Sequence, residues 1–321
     1  MSSNTTPGSV RSSTRTATAE SLSTVLGADN YPAELVDAVR AATAAAALAA
    51  GGWFGRGDKN AADAAAVAAM RGVLLPAPFA GFVVIGEGEK DEAPMLANGE
   101  ELGSGQGPAC DIAVDPLDGT RLVQEGRPGS VSVIALAPRG TLFDPRDVFY
   151  MDKLISGAPA RGVLDLRATP TENVSRLAAA LGKPVAEITV AVLDKPRHAS
   201  LVAELRATGA RVVLAGEGDV SAAIAAATPG GPIDLAMGVG GTPEGVLTAC
   251  AVRAVNGFME GRLSPQSDDQ LRMALAAGHD LDRVLTLDDL VASDRVLFAS
   301  TPVQPNPVQP NLARSNPVQV N

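Results

Sequence analysis

Carboxylates flanked by glycines recur four times along this chain, in the pattern of groups that hold a hard cation beside a phosphate ester. The clearest is the run DIAVDPLDGT at residues 111–120. Strand alternation puts Asp111, Ala113 and Asp115 on one face and Ile112 and Val114 on the other. Pro116 has no N–H to give to a ladder, so the strand is expected to stop at Asp115. Asp118, Gly119 and Thr120 then read as the mouth of a helix, where unpaired backbone amides favour an anion. The other groups are Asp58, Lys59, Asn60 and Asp63; the run GEGEKDE at 86–92, which holds Glu87 and Asp91; and Glu244 within GVGGTPEG at 238–245. A lone charged loop residue is ordinarily just solvated, so the weight lies in the set. Close carboxylates repel and resist joint ionisation unless a cation lies between them.

Other chemistries fit less well. Residues 238–245 lack the terminal Gly-Lys-Ser/Thr of a Walker A loop, and Pro243 falls where a dinucleotide fingerprint needs its third glycine. Asp115 and Asp118 are three apart, whereas aspartyl-phosphate phosphatases place their pair two apart; the wider spacing suits metal ligation around a turn. His198, His279, Cys110 and Cys250 have no zinc-ligand spacing, and the cysteines read as reduced core thiols. A metal here is therefore expected to be oxygen-liganded, Mg²⁺ or Mn²⁺. Lys195 and Arg197, in KPRH at 195–198, suit a second phosphate as well as they suit a plain surface turn. Tyr150 reads equally as a ligand cap or as a buried ring with a bonded hydroxyl. Arg56, Gly57 and Asp58 spell a cell-adhesion tripeptide that is read as chance.

The elements that must position these groups follow from the rest of the chain. Of 321 residues, 46% are hydrophobic and 19% charged, which suits a folded globular protein. The net charge of −10 and the lack of a basic stripe argue against a nucleic-acid partner. No apolar run approaches the ~18 residues of a membrane span. Residues 1–30, with Arg11 and Arg15 and no acid before Glu20, read as a flexible arm rather than a transit peptide. An Ala-rich helix is expected from Pro32 to Ala50, closed by Gly51 and Gly52, and a second one carries Asp63 and Met70. Strands are expected at 82–85 and 131–137 and within 151–167. After Pro170, helices near 174–181, 199–208 and beyond Asp219 alternate with strands near 188–193, 211–214 and 233–237, the last running into a glycine loop. Such alternation implies helices layered on sheets. From Pro302 the chain turns to Pro-Val-Gln repeats, expected to be extended and mobile. The expected division is an arm at 1–30, a metal- and phosphate-binding half at 31–168, a substrate-binding half at 169–300 and a repeat tail at 301–321.

Five motifs in this order, GRGDKNAAD (55–63), VVIGEGEKDEAPML (83–96), DIAVDPLDGT (111–120), KPRH (195–198) and GGTPEGV (240–246), resemble class II fructose-1,6-bisphosphatases of the bacterial GlpX type. These belong to the lithium-sensitive phosphatase superfamily, which DPLDGT alone would indicate. The resemblance spans about residues 31–299. It implies an α+β fold, a layered α-β-α-β-α sandwich of the sugar phosphatase and inositol monophosphatase type. It also implies hydrolysis of the 1-phosphate of fructose 1,6-bisphosphate to fructose 6-phosphate, a step of gluconeogenesis, by a cytoplasmic homodimer or homotetramer. By the same resemblance Asp63, Glu87, Asp115, Asp118 and Glu244 would hold Mg²⁺ or Mn²⁺, with Asp63, Glu87 and Thr120 catalytic. Gly119 and Thr120 would grip the departing phosphate, with Thr120 also orienting the attacking water. Tyr150, Lys195, Arg197 and Asp219 would bind the sugar and its other phosphate, with Asp118 and Glu244 also facing substrate. Lys59 and Asp91 would support the site. The implied reaction is in-line attack on phosphorus by metal-bound water, without a phosphoenzyme. One departure stands out: the family continues through further strands where this chain has its repeats, a truncated or replaced C-terminus that is expected to leave a sheet edge or core face bare. Action on sedoheptulose 1,7-bisphosphate or an inositol phosphate, or a catalytically impaired sugar-phosphate-binding paralogue, are the alternatives.

Overall fold

Two six-stranded mixed sheets carry the structure, a computed structural model that describes residues 22–87, 95–146 and 148–305. The first holds β1 (Thr24–Leu26), β2 (Ala80–Ile85), β3 (Glu101–Leu102), β4 (Ala109–Asp118), β5 (Val131–Pro138) and, from the far end of the chain, β12 (Leu297–Pro302), in the order β1-β12-β5-β4-β2-β3. The second holds β6 (Tyr150–Ser156), β7 (Thr189–Leu193), β8 (Arg211–Ala215), β9 (Leu235–Gly241), β10 (Phe258–Leu263) and β11 (Leu285–Thr286), in the order β11-β10-β6-β9-β7-β8. The helices are α1 (Ala33–Gly51), α2 (Lys59–Leu74), α3 (Thr120–Glu125), α4 (Pro170–Leu181), α5 (Ala199–Ala207), α6 (Val220–Ala227), α7 (Thr242–Ala254), α8 (Asp268–Ala276) and α9 (Leu287–Leu290).

Side-chain alternation sorts these elements into layers. Ile112, Val114, Ile134 and Leu136 of β4 and β5 join one core with Leu35, Ala46 and Met70 of α1 and α2. Their sequence neighbours Ala113, Val133 and Ala135 face the other way, into a core with Val220 of α6 and Val246 and Val252 of α7. Met151 and Ile155 of β6 meet that same middle core from the second sheet, while Leu154 turns outward to Leu177 of α4 and Leu205 of α5. The order α-β-α-β-α expected of the fold is therefore the order found. α1 and α2 are built from alanine because alanine both favours the helix and lets two helices approach closely; Ala42, Ala46, Ala62 and Ala66 are all fully buried. Asp58 starts α2 by accepting the Ala61 N–H at 3.0 Å.

Several expectations are corrected. β4 does not stop at Asp115 but runs to Asp118, with its register to β5 shifting between the two. Pro116 sits in that bulge, where no ladder N–H is required, and the Leu117 N–H turns to Asp115 Oδ1 at 3.0 Å. Residues 238–241 are not a loop but the end of β9. Within the arm expected at 1–30, Thr24–Leu26 pair with Phe298–Ser300 as an edge strand. At the other end Thr301 and Pro302 belong to β12, and Val303 is buried with its N–H on the Ser130 carbonyl at 2.9 Å. The apolar alternation of Leu297, Ala299 and Val303 keeps the start of the repeat packed against the α1 and α2 core. β12 is itself covered on both sides, by β1 and β5, so it is not a bared edge. Strand membership also crosses residue 168: β6 lies in the second sheet and β12 in the first. Most of the arm and of the repeat tail lie outside the described residues.

Candidate active site

The ends of three elements meet at an acid cluster. β4 delivers Asp115 and Asp118 on either side of its bulge. β2 runs parallel to β4 and leads to Glu87, two residues past its end. Glu244 occupies the first turn of α7, directly after β9. The carboxyl of Asp115 is held well above its ordinary 3.8 by burial, then by repulsion from Asp118, Glu87 and Glu244; the Leu117 N–H works the other way. Asp118 is shifted in the same direction by burial, then by Asp219 and Glu244, against the pull of Lys153 and the Val220 N–H. Asp118 thus touches the start of α6, and a Cβ on Gly218 would stand 2.7 Å from its Oδ2.

Asp63 is half-buried one turn into α2. The loop before that helix is pinned to α3 by the Gly55 N–H on the Val123 carbonyl (2.8 Å) and by Gln124 Nε2 on the Gly57 carbonyl (3.0 Å). Lys59 is exposed at the start of α2, and Asp91 lies outside the described residues. Among the described residues, no three His, Cys, Asp or Glu side chains close into a finished metal cage. The donor set is nevertheless all carboxylate oxygen, with Asp118 buried, the others half-buried, and the acids around Asp115 and Asp118 mutually repelling, which fits a hard divalent cation and not a thiolate metal.

Beside the acids lies the start of α3. Gly119 takes a left-handed backbone (φ 81°), and its carbonyl accepts from Ser130 Oγ at 2.7 Å. Thr120 donates its hydroxyl to the Leu117 carbonyl at 3.1 Å. The Arg121 N–H bonds to Glu217 Oε2 at 3.2 Å, and the other oxygen of Glu217 is 3.8 Å from Lys195 Nζ. Glu217, which sequence reasoning missed, therefore links the mouth of α3 to the KPRH turn.

Residues 33–308 match the family model of bacterial, glpX-encoded fructose-1,6-bisphosphatase. The chain belongs to this family. The class 2 fructose-1,6-bisphosphatase 1 of Escherichia coli (strain K12) is 44% identical over 272 residues, 81% of this chain and 81% of that relative. The class 2 fructose-1,6-bisphosphatases of Escherichia coli O6:H1 and Shigella flexneri align with the same identity and coverage. This member of the bisphosphatase family is accordingly a phosphatase, and all five sequence motifs lie inside the matched span.

The remaining expected residues of this bisphosphatase family member gather at the ends of β6, β7 and β9. Tyr150 opens β6, and the Arg197 guanidinium lies over its ring, 5.4 Å from the centroid. Arg197 donates from Nε and Nη2 to the Val239 carbonyl at 3.1 and 2.8 Å. Asp219 precedes α6 and is paired at 2.5 Å with Lys153 Nζ. Lys153, only 4% exposed, was also missed. Its signal is visible in hindsight: Met151, Lys153 and Ile155 share one face of β6, so a lysine interrupts an apolar stripe. The glycines of β9 make room for these side chains. A Cβ on Gly240 would run into the Asp219 carboxylate and lie 3.0 Å from Lys153 Nζ, and one on Gly241 would run into Glu244. Among the described residues no helix is long and apolar enough to cross a membrane.

Proposed function

We propose that the protein hydrolyses the 1-phosphate of fructose 1,6-bisphosphate with the help of Mg²⁺ or Mn²⁺, as a cytoplasmic homo-oligomer. The observation that carries this is the cluster of Asp118, which is buried, with the half-buried Asp115, Glu87 and Glu244, beside the cations of the KPRH turn, in a chain of this family. Asp63, Glu87, Asp115, Asp118 and Glu244 would hold the metal, with Lys59 and Asp91 in support. When bound, the cation supplies charge neutralisation and a more acidic water.

The chain's own residues do the rest. The proton of the Thr120 hydroxyl is committed to the Leu117 carbonyl, so its lone pairs are left to accept from the attacking water and orient it. Gly119, without a side chain, lets phosphate oxygens approach the backbone. Lys195 and the donors of Arg197 not bonded to Val239 suit the second phosphate, while Tyr150 and Asp219 border the sugar. The family match favours the fructose ester over sedoheptulose bisphosphate or an inositol phosphate, and hydrolysis over mere binding.

The test is phosphate release from a panel of esters. Release from fructose 1,6-bisphosphate is expected to exceed the others, to vanish with a chelator, to return with Mn²⁺ or Mg²⁺ and to fall with lithium. Release that ignores the chelator refutes the metal, and preference for another ester refutes the substrate. Sedimentation of the purified protein reads the assembly state.

A further inference from the structure

β7 and β9 run parallel as neighbours, but their ladder partners are only Val190 with Leu235 and Ala191 with Ala236. Beyond those residues His198 bridges the two strands. The residue is 3% exposed, with Nδ1 2.8 Å from the Leu193 carbonyl at the end of β7 and Nε2 2.9 Å from the Val239 backbone nitrogen on β9. A carbonyl only accepts and a backbone N–H only donates, so the imidazole is neutral and carries its proton on Nδ1. The adjacent Arg197 takes the carbonyl of the same Val239. Both backbone groups of Val239 are therefore held by consecutive side chains of the KPRH turn. Gly238 makes room for the ring: its φ is +116°, and a Cβ there would stand 3.0 Å from His198 Nε2. A small cavity of about 30 Å³ beside the ring is lined by Lys153 and Asp219 as well, so the bridge adjoins the proposed sugar site.

We infer that His198 is a positioning residue: a neutral wedge that spaces β7 from β9, fixes Val239 and thereby holds Arg197 over Tyr150 for the second phosphate. It rests on the assignment of Arg197 to substrate binding made above. The wedge touches no substrate. It needs a rigid ring with a donor on one edge and an acceptor on the other, because if only its volume is kept the Val239 N–H is left unpaired and the Leu193 carbonyl keeps only the Lys195 N–H at 2.9 Å.

The test uses the full-length protein. Nitrogen NMR of ¹⁵N-histidine protein at neutral pH, with the His198 signals assigned by their loss in His198→Gln, is expected to show a protonated Nδ1 and a bare Nε2. The opposite tautomer, or a ring protonated at both nitrogens, overturns the wedge. In kinetics, His198→Phe is expected to raise KM for fructose 1,6-bisphosphate about tenfold, with kcat little changed. His198→Gln, which keeps a donor and an acceptor, recovers part of the loss and carries the same comparison if the Phe variant does not fold. Arg197→Ala raises KM by itself, and adding the His198 change to it produces no further rise, because the same contact is already gone. An additive rise with a normal Arg197→Ala effect overturns the wedge alone. An Arg197→Ala variant with unchanged KM overturns the substrate role of Arg197, and the positioning claim with it.

Discussion

The ammonium of Lys153 lies 2.5 Å from the Asp219 carboxylate, and the two side chains are only 5% and 19% exposed. It is also the positive charge that opposes the upward shift of Asp118. Lys153→Met leaves Asp219 partly buried without its partner and is expected to destabilise the fold by about 3–5 kcal/mol in urea unfolding. Lys153→Met combined with Asp219→Asn removes both charges and should regain a large part of that loss. A double variant no more stable than Lys153→Met would refute the claim that the unpartnered Asp219 carboxylate causes the loss.

Asp115 and Asp118 give the metal-free protein a defined pH dependence. Both folded carboxyls are raised above the ordinary 3.8, so the folded state holds more protons than the unfolded chain across the interval between the two values. Their contribution to stability is complete below about pH 4 and is lost as pH rises through the folded values. Urea midpoints in chelator should therefore fall with rising pH from this pair, and Asp115→Asn should flatten the fall. Added Mn²⁺ should restore stability at neutral pH. A wild-type midpoint that climbs along with the variant's would contradict the shift.

Asp115→Asn is expected to cut metal-dependent phosphate release by at least about a hundredfold while circular dichroism stays native, since the amide fills the same space without the charge. Retained activity would remove Asp115 from the metal-holding set.

Thr120→Val keeps the shape of the residue but removes the hydroxyl that bonds to the Leu117 carbonyl. A drop in kcat of about a hundredfold is expected, with Thr120→Ser keeping most of the activity. A change confined to KM would mean that Thr120 grips phosphate without orienting water.

Gly240→Ala introduces a Cβ where the Asp219 carboxylate already lies. The side chains must shift, so kcat/KM should fall at least about tenfold while stability falls only about 1–3 kcal/mol. An unaffected variant would show that Asp219 is free to move without consequence.

Much of this was legible in the chain. The Ala-rich helices declare themselves because alanine at helical spacing has few other uses, and Asp58 marks where α2 begins. The carboxylates stood out because glycine and proline beside them mark strand ends. The strand boundary at Pro116 was misread because a bulge removes the need for a ladder N–H, and bulges leave no local mark. The glycines of β9 were misread as a loop because they serve space rather than turning. What crowds Gly238 and Gly240, namely His198, Lys153 and Asp219, is far away in sequence, and only Glu244 against Gly241 is near. Lys153 was missed because one lysine in an apolar stripe gains a meaning only when its partner is seen.

From the amino-acid order alone come the helix and strand periods, the acidic, oxygen-only donor set and the five-motif signature of the bisphosphatase family, since each depends on neighbours along the chain. Only the folded arrangement decides that β12 lies between β1 and β5, that Asp118 meets the start of α6, that Lys153 pairs with Asp219 and that His198 bridges β7 and β9. These contacts join residues that are distant in the chain. Their existence depends on how two sheets and the helices between them pack, which no local propensity encodes.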